Sequence, residues 1–460
     1  MALTQTQTDA AKAWNEMIRS KVSKTLDAKL PGEFIAANYA PGFNYAIKQQ
    51  YYNGDSLSAL NTLVCESDGV PVIKDVYSTL YKNVIGSLEY NISTADKELI
   101  SQETHDTEKL VGTIIDDYEN SNLDDDPIDY PTIMYIIKRI KEVTGDDYLH
   151  LDPKIFPNLA VLCSRLSEYS RRASNTLRFQ NNWSDAIDRI NKIQENTTNP
   201  SKENGALQTA KDKFYIGWDN LPETETLLKN LQNESNKISF SVSTDNFDSN
   251  ESTLHFESDV KTKVPFKWIF NLQVDHKHEF DLSKFSSKES SMDINFEFNG
   301  ISTVSAVPRP ISDNSEIGWF AADMLKEAAE KSGKDVTGIC LHGGRYDPDK
   351  LFGKNGELRR ISTFVISQQP VITMTFSHFE CEGFEQYFQQ NTSVKFSILG
   401  GLISGTHDND FSCSSSKYDE SSKTLTVKLA PSPLGSSGSL GKQTAYVLGG
   451  TVEYFERPEK

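Results

Sequence analysis

The sequence predicts a two-domain α+β protein: an N-terminal antiparallel helical bundle with one long helix (1–235), then a C-terminal antiparallel β-sandwich with one inserted helix (236–460). Three observations carry this. Apolar residues recur every three to four positions up to about residue 236, and every second position beyond it. Residues 158 to 196 contain neither proline nor glycine. In the second half the alternate positions are polar, mostly Ser, Thr, Lys, Asn and Glu, as in sheets with one face in a core and one in water.

In the first half, Trp14, Ile18, Val22 and Leu26 fall on one face of a first helix, which Pro31 and Gly32 end. Val72, Val76, Leu80, Val84 and Leu88, with Tyr77, Tyr81 and Ile85, form a broad helical stripe that must be well buried. The stretch STAD at 93 to 96 reads as a capping box opening a helix that carries Leu99, Leu110, Val111, Ile114 and Ile115. Pro131 suits the first turn of a helix through Ile133, Ile136, Ile137 and Ile140, and Gly145 stops it.

The proline-free stretch places Leu159, Leu162, Leu166, Tyr169, Ala173, Trp183, Ile187 and Ile190 on a heptad-like seam, interrupted at Thr176 and Gln180. The interruption favours a bundle core over a free two-stranded coil. A short helix from Pro222 to about Gln232 has Glu223 and Glu225 in its first turn, where the helix dipole favours acids.

In the second half, Ile238, Phe240 and Val242 alternate with serines. Val264 to Val274 reads as one long strand, followed by strands through Met292 to Phe298, Ile372 to Phe376, Val394 to Ile398 and Leu425 to Leu429. Turn clusters at 248–251 and 354–357 separate such runs. The inserted helix spans 315–329 and presents Trp319, Phe320, Met324 and Leu325. Two apolar runs bend at glycine pairs, Gly400–Gly401 and Gly449–Gly450, and read as matched kinks of a curved sheet. Residues 431–443 have linker composition and read as a mobile loop.

A net charge of -18 argues against nucleic acid as a partner, because neutralising phosphates needs a basic face. Arg165, Arg171, Arg172 and Arg178 lie along one helix and read as a solvated face. The N-terminal stretch lacks the basic and apolar regions of a secretory signal, and no window reaches the roughly 18 apolar residues of a spanning helix. The protein is expected to be cytoplasmic as synthesised, with release by lysis or a signal-independent route as the alternative. Cys65, Cys163, Cys340, Cys381 and Cys413 are far apart and form no CxxC pair, so reduced, mostly buried thiols are expected.

Three stretches carry residues of the kinds that do chemistry, and each has a plainer structural reading. The run between Glu103 and Asp129 is rich in acids, and Asn120, Asn122, Asp124, Asp125, Asp126 and Asp129 in it are oxygen donors of the kind calcium takes. They lack the glycine and the closing Glu of an EF-hand, so an exposed acidic loop is expected. His276 and His278 share a strand face of the kind that can hold zinc, but it is the polar face of a strand end. The HisGlyGly at 342–344 resembles an esterase oxyanion loop, yet the chain has no GxSxG turn for a nucleophile. GxGxxG and P-loop patterns are likewise missing. An enzyme would have to rest on His342, Arg345, Asp347 and Asp349 as acid, base and anion holder.

No catalytic, cofactor-binding or metal-ligating residue is therefore assigned. The expected function is a non-enzymatic one, binding a protein partner or another copy of the chain. The alternative is a membrane-active, pore-forming protein acting at a membrane surface, with residues 238–257 as the amphipathic hairpin that would insert.

Overall fold

The computed structural model describes residues 4–456 apart from 27–29, 31–32, 37–41, 45–51, 53, 68–69, 122, 124–130, 147–150, 153, 234, 246–250, 258–259, 275–277, 280–289, 313, 315, 343–344, 369, 379–393, 402, 407–410 and 432–443. The chain opens with helix α1 (Gln5–Thr25), strands β1 (Phe34–Ala36) and β2 (Gly42–Asn44), helix α2 (Gly54–Leu60), strands β3 (Thr62–Ser67) and β4 (Val70–Val76), and helix α3 (Tyr77–Ile85). Strand β5 (Leu88–Asn91) leads into α4 (Thr94–Glu119), α5 (Ile133–Thr144) and α6 (Pro157–Thr198). Next come β6 (Leu207–Ala210), β7 (Lys213–Tyr215), β8 (Trp218–Asp219) and α7 (Thr224–Leu231).

Strands β9 (Ile238–Asp245), β10 (Ser252–Phe256) and β11 (Lys261–Val264) precede the one-turn helix α8 (Phe266–Ile269). They are followed by β12 (Phe270–Val274), β13 (His278–Glu279), β14 (Ser291–Phe298), β15 (Ser302–Ser305) and β16 (Val307–Pro308). Helix α9 (Ala322–Lys331), β17 (Gly338–Leu341) and α10 (Pro348–Leu351) come before the closing strands. Those are β18 (Arg360–Ser367), β19 (Val371–Ser377), β20 (Val394–Ile398), β21 (Ile403–Thr406), β22 (Phe411–Asp419), β23 (Thr424–Pro431) and β24 (Thr444–Glu453).

The protein is thus a mixed α+β chain, with its long helices in the first half and antiparallel sheets in the second. It divides into two compact units that are interleaved in sequence. A β-rich unit takes Met1–Val84, Ile193–Ala322 and Asp347–Lys460; a helical unit takes Ile85–Lys192 and Asp323–Tyr346.

In the β-rich unit a seven-stranded sheet runs in the order β11-β10-β9-β14-β19-β23-β22, every neighbour antiparallel. The alternation read from the sequence sets its faces: Ile238, Phe240, Val242, Met292, Ile294, Phe296, Ile372, Met374, Phe376, Leu425, Val427 and Leu429 are all buried in one core. Helix α1 lays Trp14, Ile18 and Val22 on that same core. The stripe is as predicted, but its partner is the sheet and not a helical bundle. Trp14 meets Phe240 and Phe296 edge-on, with ring centroids 5.0 and 5.4 Å apart.

Three readings need correction in this unit. Residues 70–76 form strand β4 of a second sheet (order β1-β24-β18-β3-β4) rather than the start of a helix. Val76 is exposed, and only 77–85 is helical, with Tyr77, Tyr81, Val84 and Ile85 buried. A short, apolar strand running straight into a helix mimics a longer helical stripe. The long strand expected at 264–274 is broken, because Pro265 withholds a ladder donor and starts the turn α8. The helix expected at 315–329 begins only at Ala322. Gly318 has φ +92°, and a Cβ there would lie 1.9 Å from the Pro310 carbonyl oxygen. The chain therefore runs extended past Pro310, and Trp319 donates its Nε1–H to the Gly217 carbonyl (2.7 Å).

The glycine pairs are not matched kinks of one sheet. Gly400 (φ +68°) sits in a tight turn, Leu399–Gly401, that joins β20 to β21 in a four-stranded sheet, and a Cβ there would lie 2.2 Å from Trp268 Nε1. Gly449 and Gly450 lie inside β24, in the other sheet, where a Cβ on Gly450 would meet Ile361 at 2.4 Å. Residues 432–443 fall outside the described residues.

In the helical unit α4, α5 and α6 close around Ile114, Tyr118, Ile136, Ile140, Leu159, Leu162, Cys163 and Leu166. Helix α6 is the predicted long helix. Ser93 caps α4 by accepting the Asp96 N–H (3.1 Å), but the return bond of a capping box is replaced, since Ser93 N–H donates to Thr337 Oγ1 (2.9 Å). Pro131 lies just before α5 rather than in its first turn, since Thr132 caps the helix; Gly145 ends it, as read, with φ +84°. The buried stripe of α6 shifts face in its second half, to Phe179, Ala186 and Ile190, which leaves Trp183 half-exposed instead of in the seam.

Candidate functional site

Strand β17 pairs with β5, so Cys340 faces Glu89 across the ribbon, and His342 lies two residues on along the chain. Glu89 joins the two side chains: its Oε2 lies 2.6 Å from His342 Nδ1, and its Oε1 accepts from Cys340 Sγ at 3.9 Å. Burial, then the Glu89 carboxylate, push the Cys340 thiol up, which keeps it protonated and a poor nucleophile. The His342 side chain itself is 71% exposed. His342 was singled out in the sequence from its loop, and Cys340 only as one of five separated thiols. Glu89 was not, because no local signal reports a pairing across some 250 residues.

The other residues singled out above do not join this group. Arg345 stacks over Tyr346, and Asp347 caps α10 by accepting the Asp349 N–H (2.9 Å). Both are local, structural roles. The His276 and His278 side chains, and Asn122, Asp124, Asp125, Asp126 and Asp129, lie outside the described residues. Among the described residues no three His, Cys, Asp or Glu side chains are placed to hold a metal ion.

Glu103 and Asp106, from the acidic run, both bind Arg172, at 2.8 and 2.9 Å, and Glu168 completes the set at 3.0 Å. Arg165 pairs with Asp117. Two of the four arginines read as a solvated face are therefore the ion pairs that fasten α6 to α4.

A second polar cluster was missed. On the outer face of the seven-stranded sheet, His255 Nε2 lies 2.8 Å from Asp245, and Asp293 sits across from Ser243 on the next strand. Burial, with Asp245 as a neighbouring charge, raises the Asp293 carboxyl. The face around it is rich in hydroxyls: Ser239, Ser241, Ser243, Thr373, Thr375 and Thr426. The hairpin 238–257 belongs to this sheet. Strand β9 is paired with β10 on one side and along eight residues with β14 on the other. No helix among the described residues is long and apolar enough to cross a membrane.

The clefts formed by described residues include these two, both open. One of about 470 Å³ is lined by Leu151, Cys163, Glu168 and Arg171 among others, and one of about 360 Å³ by Lys237, Glu297, Asn299 and Gln368. The first holds Cys163, Ser164 and Ser167 with Glu168, but burial raises the Cys163 thiol and Glu168 accepts from Arg172 (3.0 Å). Exposed apolar surface is the more distinctive feature. Among the described residues, eight of the thirteen exposed large hydrophobic residues lie in the helical unit: Leu99, Met134, Val143, Ile155, Val161, Leu177, Trp183 and Val336. That unit holds under a third of the chain.

No protein-family model, curated protein or solved structure matches the chain.

Three acids of the helical unit are held below the usual carboxylate range, as are Glu203 and Asp419 in the β-rich unit away from β9 and β14. The Gln102 side chain, then the charge of Arg172, hold the Asp106 carboxyl below the usual range despite some burial. Burial raises Asp323, but two hydrogen bonds from Arg189 (2.5 and 2.9 Å), its charge and backbone N–H groups outweigh that and lower it. Asp335 is lowered by accepting the Thr94 N–H (2.9 Å), which caps α4 from a distant segment. A carboxyl whose folded pKa is depressed stabilises the fold above its unfolded pKa, and that stability is lost as pH falls through the folded value. Asp293 has the opposite sign, a penalty at neutral pH that acid relieves. Acidification below about pH 4 is therefore expected to remove the helical circular-dichroism signal before amide exchange rises in β9 and β14. Simultaneous loss of both would contradict this.

Proposed function

We propose that this chain is a non-enzymatic protein that binds a protein partner or another copy of itself. On this reading the C-terminal half, as a sandwich-like β-module (236–460), supplies the binding surface, and the helices before it act as scaffold and contact element. The concentration of exposed apolar side chains in the helical unit supports it. Scattered exposed Leu and Val are ordinary on a monomer, but Trp183, half-exposed on α6, is the residue type that most often anchors an interface.

Sedimentation across a concentration series tests the self-association branch. The wild-type chain is expected to show a mass above the monomer that rises with concentration. Trp183→Ala should weaken that association about tenfold or more, the range of an interface hot spot, with the circular-dichroism spectrum unchanged. A monomer at every concentration, with no partner retained, would sink the proposal. The membrane-active alternative needs β9 and β10 to leave ladders in which both are paired on each side. Dye release from liposomes by the wild-type chain, abolished by a disulfide between positions 243 and 293, is the outcome that would favour it.

A further inference from the structure

We propose that the cleft between the end of α7 and the turns after β14 and β18 binds a free α-amino acid with a short, uncharged side chain, as the zwitterion. This goes beyond the partner-binding reading and does not depend on it.

Size and lining select a small, polar molecule. The cleft holds about 360 Å³, at the lower end of the range for ligand sites. Most such sites are walled chiefly by apolar side chains. Here Leu231 is the only apolar side chain among the described lining residues. The others are the amides of Gln232, Asn299 and Gln368, the Lys237 ammonium and the Glu297 carboxylate.

The two charges select a zwitterion. Glu297 stands opposite Ser239 and Phe298 opposite Ile238, so Lys237, one residue before β9, is diagonal to Glu297 at the end of the ladder. Long side chains reach their diagonal neighbours, and opposite charges placed so attract. These two line one cleft, yet among the described residues neither side chain has an ion pair or a hydrogen bond. A ligand carrying both charges satisfies both, its carboxylate on Lys237 and its ammonium on Glu297, through hydrogen bonds about twice as strong as neutral ones. A simple anion would sit beside Glu297, and a simple cation beside Lys237, each against a like charge.

The floor is fixed in advance. Gln368 donates its backbone N–H to the Asn299 carbonyl (2.9 Å) and its Nε2–H to the Leu231 carbonyl (2.6 Å). Gly300, with φ +61°, lets the turn lie against Leu231, where a Cβ would come within 1.7 Å of the carbonyl oxygen. Three segments are thereby held in one arrangement, and a preorganised site loses less entropy on binding. With Nε2 taken, Gln368 keeps Oε1 as an acceptor, and the Asn299 carboxamide both donates and accepts. Such partners favour a side chain like that of serine or asparagine.

Isothermal titration of the full chain with glycine, L-serine and L-asparagine tests this. Saturable binding of at least one is expected at millimolar concentration or below. Blocking its carboxylate, as the amino-acid amide, or its ammonium, as the N-acetyl derivative, should weaken binding roughly tenfold to hundredfold, the worth of one hydrogen bond to a charged group. Lys237 is exposed and Glu297 half-buried, so both can be changed without opening the core. Lys237→Gln should weaken the amino acid by a similar factor and leave its amide unchanged. Glu297→Gln should weaken the amino acid and leave the N-acetyl derivative unchanged. Circular dichroism confirms that each variant is folded. Binding by none of the three amino acids, or binding that either variant leaves intact, overturns the proposal.

Discussion

Replacing Trp14 with alanine is expected to lower the unfolding free energy of the β-rich unit by about 3–5 kcal/mol. The indole is 1% exposed and packs edge-on against Phe240 and Phe296, which sit opposite each other on β9 and β14. Its removal opens a cavity between a helix and a sheet, and neither can collapse without breaking its own hydrogen bonds. Denaturant unfolding followed at 215 nm should show a lower midpoint at an unchanged slope. A change within about 0.5 kcal/mol, the range of ordinary surface substitutions, would mean that α1 is not part of this core. The same measurement separates a helix docked on the sheet from one belonging to a helical bundle.

Gly300→Ala is expected to cost roughly 2–5 kcal/mol, from about 1–2 of backbone strain and about 1–3 of overpacking. Gly300 has φ +61°, and a Cβ would lie 1.7 Å from the Leu231 carbonyl oxygen. That oxygen accepts a hydrogen bond from Gln368 Nε2 (2.6 Å), so it cannot retreat without giving up a partner. The residue closes the turn after β14, where Ile301 N–H donates to the Asn236 carbonyl (2.8 Å). Thermal unfolding compared with Gly112→Ala, where a Cβ meets nothing within 4 Å, provides the control. An equal, small effect at both sites would remove the argument.

What the sequence discloses here is periodicity, and periodicity reports burial one element at a time. The strands through 238–245, 291–298, 371–377 and 424–431 could be read because each buries one face along its length. Helix α6 could be read because nothing in it breaks a helix. Partnership could not. Trp14, Ile18 and Val22 declare a buried face without declaring that a sheet covers it, and Glu89 gives no sign that His342 will meet it. Pro265 was the local warning that the run to Val274 is not one strand. At the candidate sites Arg345 and Asp347, nominated because they share a loop with His342, serve that loop and the helix after it. The polar clusters that do form, around Glu89 and around Asp293, are products of long-range register.

The second sheet carries a cost in time. Its strand β24 lies between β18 on one side and β1 and β2 on the other, and Phe34 is paired with Thr451 across nearly the whole chain. A ribosome needs on the order of tens of seconds to travel that distance. Throughout that interval β1 and β2 lack the one described strand that pairs with them in this sheet, and β18, once made, has only β15 and β3 beside it. The nascent protein must therefore keep its first strands from other partners until its last one emerges.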